Sequence, residues 1–307
     1  MFLNRRISLI LALCLTTLFF VGCKSKFEKL RASNNITVKY QEAVKLYEKG
    51  KYSKALILFD DLAGRYRGRA EAEDLFYLIA NANYKLRDYT AARYHFKNFA
   101  NTYPNSQRAE ECRFMAAYCY YLDSPRSTLD QDNTRKAIDE LQLFVNYYPE
   151  SEKAEEAGEL IQKLRDKLEK KAFDNAKLYY NMGLSDDYRA AVIALENVLR
   201  EYPDTKYAEE IEFLMFKSQF LYADNSRVYR QEERFNDAID YYNNFIENYP
   251  DSKLKSEADD LKRSADKKII AAIRLMNQYN KEIEERNKEL GIETTETGQT
   301  NTDNSTK

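Results

Sequence analysis

The 307-residue chain contains no tryptophan, one histidine, four cysteines, five prolines and eight glycines. So few glycines and prolines leave few turns for a sheet protein, and no alternating apolar and polar run is bounded by turn signals. A single histidine, His95, leaves almost nothing from which to build a Ser-His-Asp triad or a multi-histidine metal site. The lack of tryptophan argues against a carbohydrate-capturing surface, because sugar platforms usually depend on that side chain.

Charge and glycine patterns exclude further classes of protein. The 48 basic and 50 acidic residues nearly balance, so no strong positive field favours nucleic acid as a partner. No GxGxxG motif occurs, and Gly64 and Gly68 lack the following Lys and Ser or Thr of a phosphate-binding loop. Paired carboxylates such as Glu110 and Glu111 stand near the starts of predicted helices, where they complement the helix dipole. The sequence predicts a protein that is not an enzyme and uses neither a cofactor nor a metal.

Four of the five prolines lie in one repeated cassette, in which Tyr-Pro is followed by a variable residue and then Ser or Thr. The prolines of these cassettes are Pro104, Pro149, Pro203 and Pro250. An alanine stands twelve residues before each proline, with bulky apolar residues eight and five before it. Because the residue before a proline avoids the helical conformation, each Tyr-Pro ends one helix. The Ser or Thr can cap the helix that follows.

A fifth copy of the pattern, without the proline, ends at Tyr66. From tyrosine to tyrosine the steps are 37, 45, 54 and 47 residues, longer than the unit of about 34 residues in tetratricopeptide repeats. We attribute the excess to longer helices and insertions. The predicted fold is all-α: a tetratricopeptide-like solenoid of five helix-turn-helix units with a C-terminal capping helix. The concave face of such a stack is a binding surface.

The N-terminus has the layout of a secretory signal. Arg5 and Arg6 precede a largely apolar run of fifteen residues at 7–21, which Gly22 and Cys23 close. This run is too short to remain as a spanning helix. A small residue directly before a cysteine resembles the lipobox of bacterial lipoproteins, in which the signal is cut before Cys23 and this cysteine receives lipid. The alternative is an ordinary signal that happens to be followed by a cysteine.

The rest of the chain can be divided by composition. The predicted segments are a signal peptide at 1–22, a lipidated linker at 23–33, five repeats at 34–265, a C-terminal helix at 266–290 and a disordered tail at 291–307. The tail has no large apolar residue beyond Ile292. Six residues of the capping region offer apolar surface toward the last repeat: Leu261, Ile269, Ile270, Ile273, Leu275 and Met276.

The remaining thiols and the histidine have structural interpretations. Cys112 and Cys119 lie seven residues apart on one predicted helix, so their Cα atoms are about 10.5 Å apart and cannot be bridged. We expect two packed thiols, and an exposed or half-buried position for His95 on the second helix of the second unit.

The third unit carries the most specific run in the sequence. LDQDNTRKA at 129–137 overlaps the end of an insertion at 123–132 and leads to FVNYYPES at 144–151. These runs, the lipobox, the Tyr-Pro joints and the opening unit at 40–55 together resemble the BamD (YfiO) family, lipoproteins of the outer-membrane β-barrel assembly machinery. The likeness covers roughly residues 33–265.

The resemblance implies a lipid-anchored scaffold on the periplasmic face of the outer membrane. The partners it implies are the barrel assembly subunit, the C-terminal segments of unfolded outer-membrane proteins and, through the lipid on Cys23, the bilayer. An alternative is another tetratricopeptide-type envelope lipoprotein that organises periplasmic or division proteins.

The first helix of the second unit supplies a candidate binding surface. Four of its residues recur at steps of three and four: Asp74, Tyr77, Asn81 and Tyr84. We expect them to point into the concave groove, where the tyrosines offer flat surfaces to an aromatic-ended peptide and Asn81 binds the peptide backbone. The competing interpretation is that Tyr77 and Tyr84 complete the core between units.

Overall fold

The computed structural model describes residues 26–290, except for the side chain of Ser185. Within that range the chain forms twelve α-helices and no strand, which confirms the all-α repeat fold. The helices are α1 Lys26–Arg31, α2 Ile36–Glu48, α3 Tyr52–Tyr66, α4 Ala72–Lys85, α5 Tyr89–Thr102, α6 Ala109–Leu122, α7 Asp132–Tyr147, α8 Ala154–Met182, α9 Ser185–Glu201, α10 Ala208–Asp224, α11 Val228–Asn248 and α12 Lys255–Glu289. The predicted signal, Cys23 and the tail at 291–307 lie outside the described residues.

The chain divides into two compact units, Met1–Arg165 and Asp166–Lys307. Each unit holds its own apolar clusters. No helix between residues 26 and 290 is long and apolar enough to cross a membrane.

Consecutive helices pack as hairpins, and the second helix of each hairpin carries a fully buried alanine. These alanines are Ala55, Ala92, Ala137, Ala191 and Ala238, each 0% exposed. A methyl side chain lets the neighbouring helix approach closely, while larger residues beside it, such as Phe59 and Phe96, fill the remaining space. Within each compact unit, the hairpins therefore bury their apolar faces against one another.

Helix α8 explains the longest step between tyrosines. It has 29 residues, and the boundary between the two compact units lies within it. Its first part, including Leu160 and Leu164, packs against the cluster of α6 and α7. Its later part, including Phe173 and Ala176, packs with residues of α9 and α10. One long helix thus closes the third hairpin and supplies the first helix of the fourth.

The Ser or Thr hydroxyl makes the same two hydrogen bonds in all four cassettes. It accepts a bond from the backbone N–H two residues later, at 3.0 to 3.1 Å. It donates a bond to a glutamate in an earlier helix. The pairs are Ser106–Glu73, Ser151–Glu110, Thr205–Glu169 and Ser252–Glu209. In the last three, the oxygens are 2.5 to 2.6 Å apart.

This geometry corrects the expected capping role of these residues. Ser151 lies three positions before the first residue of α8, Ala154, and does not occupy the N-cap. The backbone of the turn is already bonded, because Ser151 N–H donates to the Tyr148 carbonyl and Ala154 N–H to the Ser151 carbonyl. The hydroxyl proton is therefore available to reach back to the glutamate and tie the joint to the preceding hairpin.

Helix α12 packs differently from the expectation. Its buried residues are Ala258, Ala265 and Ala272, spaced seven apart. Leu261 and Ile269 contact the cluster of α10 and α11 as expected. The prediction was wrong for three others, which are exposed: Ile270 by 59%, Ile273 by 37% and Leu275 by 50%. The three small alanines form the contact face of α12, and Ile270, Ile273 and Leu275 lie on its exposed side. This single helix covers the end of the predicted repeat region and the predicted C-terminal helix.

We predict that Thr205→Val destabilises the second compact unit by about 1.5–3 kcal/mol, because Thr205 bonds to a charged carboxylate away from water. Thr205 and Glu169 are 6% and 9% exposed, and valine preserves the side-chain shape. The measurement is urea unfolding followed by circular dichroism. The control is Ser252→Ala in the same unit, whose partner Glu209 is only half-buried and whose loss should be smaller. Equal losses for the two variants would contradict this account of the joint.

Candidate functional site

The four predicted groove residues lie along one side of α4. Asp74 is exposed, and Tyr77, Asn81 and Tyr84 are half-buried. The packing face of the helix is buried and includes Leu75. The row lies at the border of this face, and each of its members leaves part of its surface accessible.

Tyr77 is held firmly between α5 and α6. Its ring centroid lies 6.0 Å from that of Phe99 in an edge-on contact. The guanidinium of Arg108 lies 4.6 Å from the same ring. The hydroxyl donates a hydrogen bond to Glu111 Oε1 at 2.9 Å. Burial above all, together with the Glu111 carboxylate, raises the pKa of Tyr77 to about 12.

The other three residues differ in how closely they join Tyr77. Asp74 pairs with Arg108 at 2.5 Å, which links α4 to the start of α6. Asn81 donates a long bond of 3.5 Å to the Tyr77 carbonyl. Tyr84 lies seven residues further, about 10.5 Å along the helix, and its ring contacts Tyr89 at 6.0 Å. The structure thus brings Asp74, Tyr77 and Asn81 together and leaves Tyr84 two turns away.

The same four positions recur on the first helices of the neighbouring hairpins, 37 residues earlier and 37 residues later. On α2 they are Thr37, Tyr40, Val44 and Tyr47, and on α6 they are Glu111, Phe114, Tyr118 and Tyr121. The first position is exposed on all three helices, and the second and fourth are always aromatic. We call these twelve residues the aromatic row. The sequence prediction missed eight of them, although applying the 37-residue step from Tyr66 to Tyr103 would have found them.

Contacts and charges connect the members of the aromatic row. Tyr118 and Tyr121 stack at 5.6 Å with an interplanar angle of 19°. Burial, and then the carboxylate of Asp74, raise the pKa of Tyr40. Burial, and then the neighbouring Tyr118, raise the pKa of Tyr84. Phe114 is 4% exposed and belongs to the core, whereas the six tyrosines of the row are half-buried and form a partly desolvated aromatic surface.

In the competing interpretation, Tyr77 and Tyr84 complete the core between units, and this applies to one side of each ring. Tyr77 and Tyr84 pack against the buried cluster of α4, α5 and α6, which includes Phe96 and Phe99. Both tyrosines nevertheless stay half-buried. They complete the core with one surface and present the other to the outside.

Other candidate chemistry in the first unit has a structural explanation. His95 is half-buried, and burial lowers its pKa against the opposing effect of Asp60. Both line a groove of about 650 Å³ between α3, α4 and α5. Cys112 and Cys119 are buried free thiols, and burial raises the pKa of each to about 12. Among residues 26–290, no cluster of three or more His, Cys, Asp or Glu side chains could hold a metal ion.

Comparison with known families shows which family the chain belongs to. The sequence model of the YfiO family, described as outer membrane lipoprotein, matches residues 33–221 and 178–280. These ranges include more than half of the 307 residues and the whole aromatic row. The chain belongs to this family. As a member of the YfiO family it is located at the outer membrane.

Named relatives agree with this membership. An outer membrane protein assembly factor BamD from Haemophilus influenzae is 24% identical over 219 residues, which cover 67% of this chain and 80% of the relative. The protein of the same name from Pasteurella multocida is 25% identical over 173 residues, covering 53% and 65%. That from Rickettsia prowazekii is 22% identical over 250 residues, covering 81% and 94%.

We predict that neither Cys112 nor Cys119 reacts with a thiol reagent at pH 8 while the chain is folded. With a pKa of about 12, only about one thiol in ten thousand is ionised at that pH, and the thiolate is the reactive form. The measurement is the rate at which a chromogenic disulfide labels residues 23–307 with Cys23→Ser, in which Cys112 and Cys119 are the two remaining thiols, with and without urea. Both thiols should react after unfolding, and rapid labelling without urea would show that the cluster behind the row is open.

Proposed function

We propose that this chain is a lipid-anchored scaffold of the outer-membrane β-barrel assembly machinery that faces the periplasm. Its YfiO family membership and its relatives named as assembly factors support a role in outer-membrane protein assembly. In the finer proposal, Cys23 carries the lipid, the helices dock on the barrel assembly subunit, and the first unit helps to receive unfolded outer-membrane proteins for insertion.

The observation that carries the receiving role is the aromatic row. The pair Asp74–Arg108 and the hydrogen bond from Tyr77 to Glu111 join α4 to α6 through their side chains. An extended peptide advances about 3.3 Å per residue, so a segment of several residues that runs across the row contacts more than one of these helices. Each helix offers it two aromatic side chains. This repetition suits a ligand that is itself extended and rich in aromatic side chains.

Each kind of side chain in the row has a part in binding. The accessible surfaces of Tyr77 and Tyr84 stack against aromatic side chains of the peptide. The half-buried Asn81 amide, whose bond to the Tyr77 carbonyl is long at 3.5 Å, binds the peptide backbone. Arg108, held over Tyr77 and about 40% exposed at its side chain, binds the terminal carboxylate, as guanidinium groups readily do. The row thus recognises an aromatic residue at a C-terminus.

We predict that an Asn81→Ala, Tyr84→Ala double variant binds a peptide of about ten residues ending in phenylalanine at least tenfold more weakly. It loses one aromatic contact and one hydrogen bond, each worth about 1 kcal/mol. Tyr77 is left intact because its hydroxyl and ring also hold α6 in place. The measurement is fluorescence anisotropy of the labelled peptide, with circular dichroism to verify folding.

The matched control is Tyr94→Ala, Asn98→Ala on α5, which removes the same residue types from exposed positions outside the row. Its affinity should stay within about twofold of the original protein. A C-terminally amidated peptide should bind more weakly, because Arg108 then keeps its pair with Asp74 but gains no bond to a peptide carboxylate. Unchanged affinity in the folded Asn81→Ala, Tyr84→Ala variant would remove the row from peptide reception.

For docking, we predict that the lipidated chain, purified from detergent-solubilised outer membrane, retains a large β-barrel subunit. The measurement is mass spectrometry of the co-purified proteins. A Cys23→Ser chain should leave the membrane fraction, because Cys23 is the proposed attachment site. Recovery of periplasmic or division proteins without any barrel subunit would instead support the function of an envelope scaffold.

A further inference from the structure

Four lysines with exposed side chains mark the N-terminal end of the first unit. They are Lys26, Lys29, Lys51 and Lys54, which we call the basic edge. None of the ion pairs formed among residues 26–290 involves any of them. The ammonium groups of Lys26, Lys29 and Lys51 therefore remain available to an external partner, and that of Lys54 is engaged only by the face of the Phe27 ring.

Packing brings these lysines together on one end of the unit. Helix α1 lies on the first hairpin through Phe27 and Leu30. The Lys54 ammonium lies 5.6 Å from the centroid of the Phe27 ring, which places α3 beside α1. Lys51 is the N-cap residue of α3, and its carbonyl accepts a hydrogen bond of 3.1 Å from the Lys54 backbone N–H, so the two lysines lie within the first turn of that helix. The edge thus combines two lysines from α1 with two from the start of α3.

A buried lysine fixes α1 in this position. Lys39 on α2 is 1% exposed. Its ammonium donates a hydrogen bond of 2.8 Å to the carbonyl of Arg31, the last residue of α1, and pairs with Asp61 on α3. Because an unpaired buried charge is very unfavourable, this lysine holds the three helices together. The basic edge is therefore a defined surface and not a loose tail.

The charge of this end opposes that of the rest of the chain. Residues 24–54 contain nine Lys or Arg and three Glu. The 48 basic residues of the whole chain include these nine and two in the predicted signal, which leaves 37 for residues 55–307, against 47 acidic residues there. The positive charge is concentrated where the predicted lipid would be attached.

The short separation between Cys23 and α1 indicates that the partner of the basic edge is the membrane surface. Cys23 precedes Lys26 by three residues, and three residues span at most about 11 Å. A lipid on Cys23 holds that residue at the bilayer surface, so the first turn of α1 stays within about one Debye length of the headgroups. At that distance anionic headgroups attract lysines directly.

We propose that the basic edge binds the anionic phospholipid headgroups of the leaflet that holds the Cys23 lipid. Lipid and lysines together then orient the first unit on the membrane, which a single flexible attachment cannot do. The proposal rests on the lipid anchoring in the proposed function and is independent of peptide reception. Each lysine at such a surface contributes roughly a fivefold gain in binding.

The test uses the mature chain, residues 23–307, with Cys23→Ser so that no lipid contributes to binding. The chain is sedimented with vesicles containing about one-third phosphatidylglycerol and with pure phosphatidylcholine vesicles. We expect binding to the anionic vesicles only, and a loss of binding as salt is raised. The variant Lys26→Gln, Lys29→Gln, Lys54→Gln should bind about a hundredfold more weakly.

The matched control is Lys267→Gln, Lys281→Gln, Lys288→Gln on α12, which removes the same charge from exposed positions of the second unit. Its binding should stay close to that of the parent chain. Equal binding to neutral and anionic vesicles, or equal losses in the two triple variants, would overturn the proposal. Neither peptide nor barrel subunit is present, so this failure would leave the peptide titration and the co-purification as separate tests of the proposed function.

Discussion

The close approach of helices at one fully buried alanine per hairpin is the constraint on which the rest of the structure depends. At Ala92, for example, any larger side chain would separate α5 from its neighbours and open the cluster that holds Phe96 and Phe99. Because the hairpins pack at these alanines, each Tyr-Pro cassette must reverse the direction of the chain at a fixed angle between the helices. The hydrogen bond from the cassette hydroxyl to a glutamate of an earlier helix fixes that return.

The same packing leaves one side of α2, α4 and α6 partly exposed. On α4, the core takes residues such as Leu75 and Ile79, so the row from Asp74 to Tyr84 lies at its border. Repeating the hairpin repeats this border on α2 and α6. A partly accessible aromatic row thus arises from the repeat itself, and contacts of Asp74 with Arg108 and of Tyr77 with Glu111 join α4 to α6 within it.

The sequence predicted the helices well, because proline, alanine and aromatic spacing are local signals; its peptide-binding role for the α4 residues stays a prediction. It found the α4 members of the row but not those on α2 and α6, which only a comparison between units reveals. It placed Ile270, Ile273 and Leu275 against the last repeat, although these are exposed. Hydrophobicity alone could not choose between large residues and the smaller Ala258, Ala265 and Ala272, because the choice depends on how closely α11 and α12 approach.

By itself, the sequence determined the all-α repeat, the places where helices end and the YfiO family, since these follow from backbone restrictions and residue spacing. Only the tertiary structure decided which partner each cassette hydroxyl takes, how Tyr77 is divided between core and surface, and that Lys54 lies beside Phe27. Contacts between residues distant in the chain depend on the angle and distance between packed helices. No local pattern encodes those quantities, because many side chains in several helices set them together.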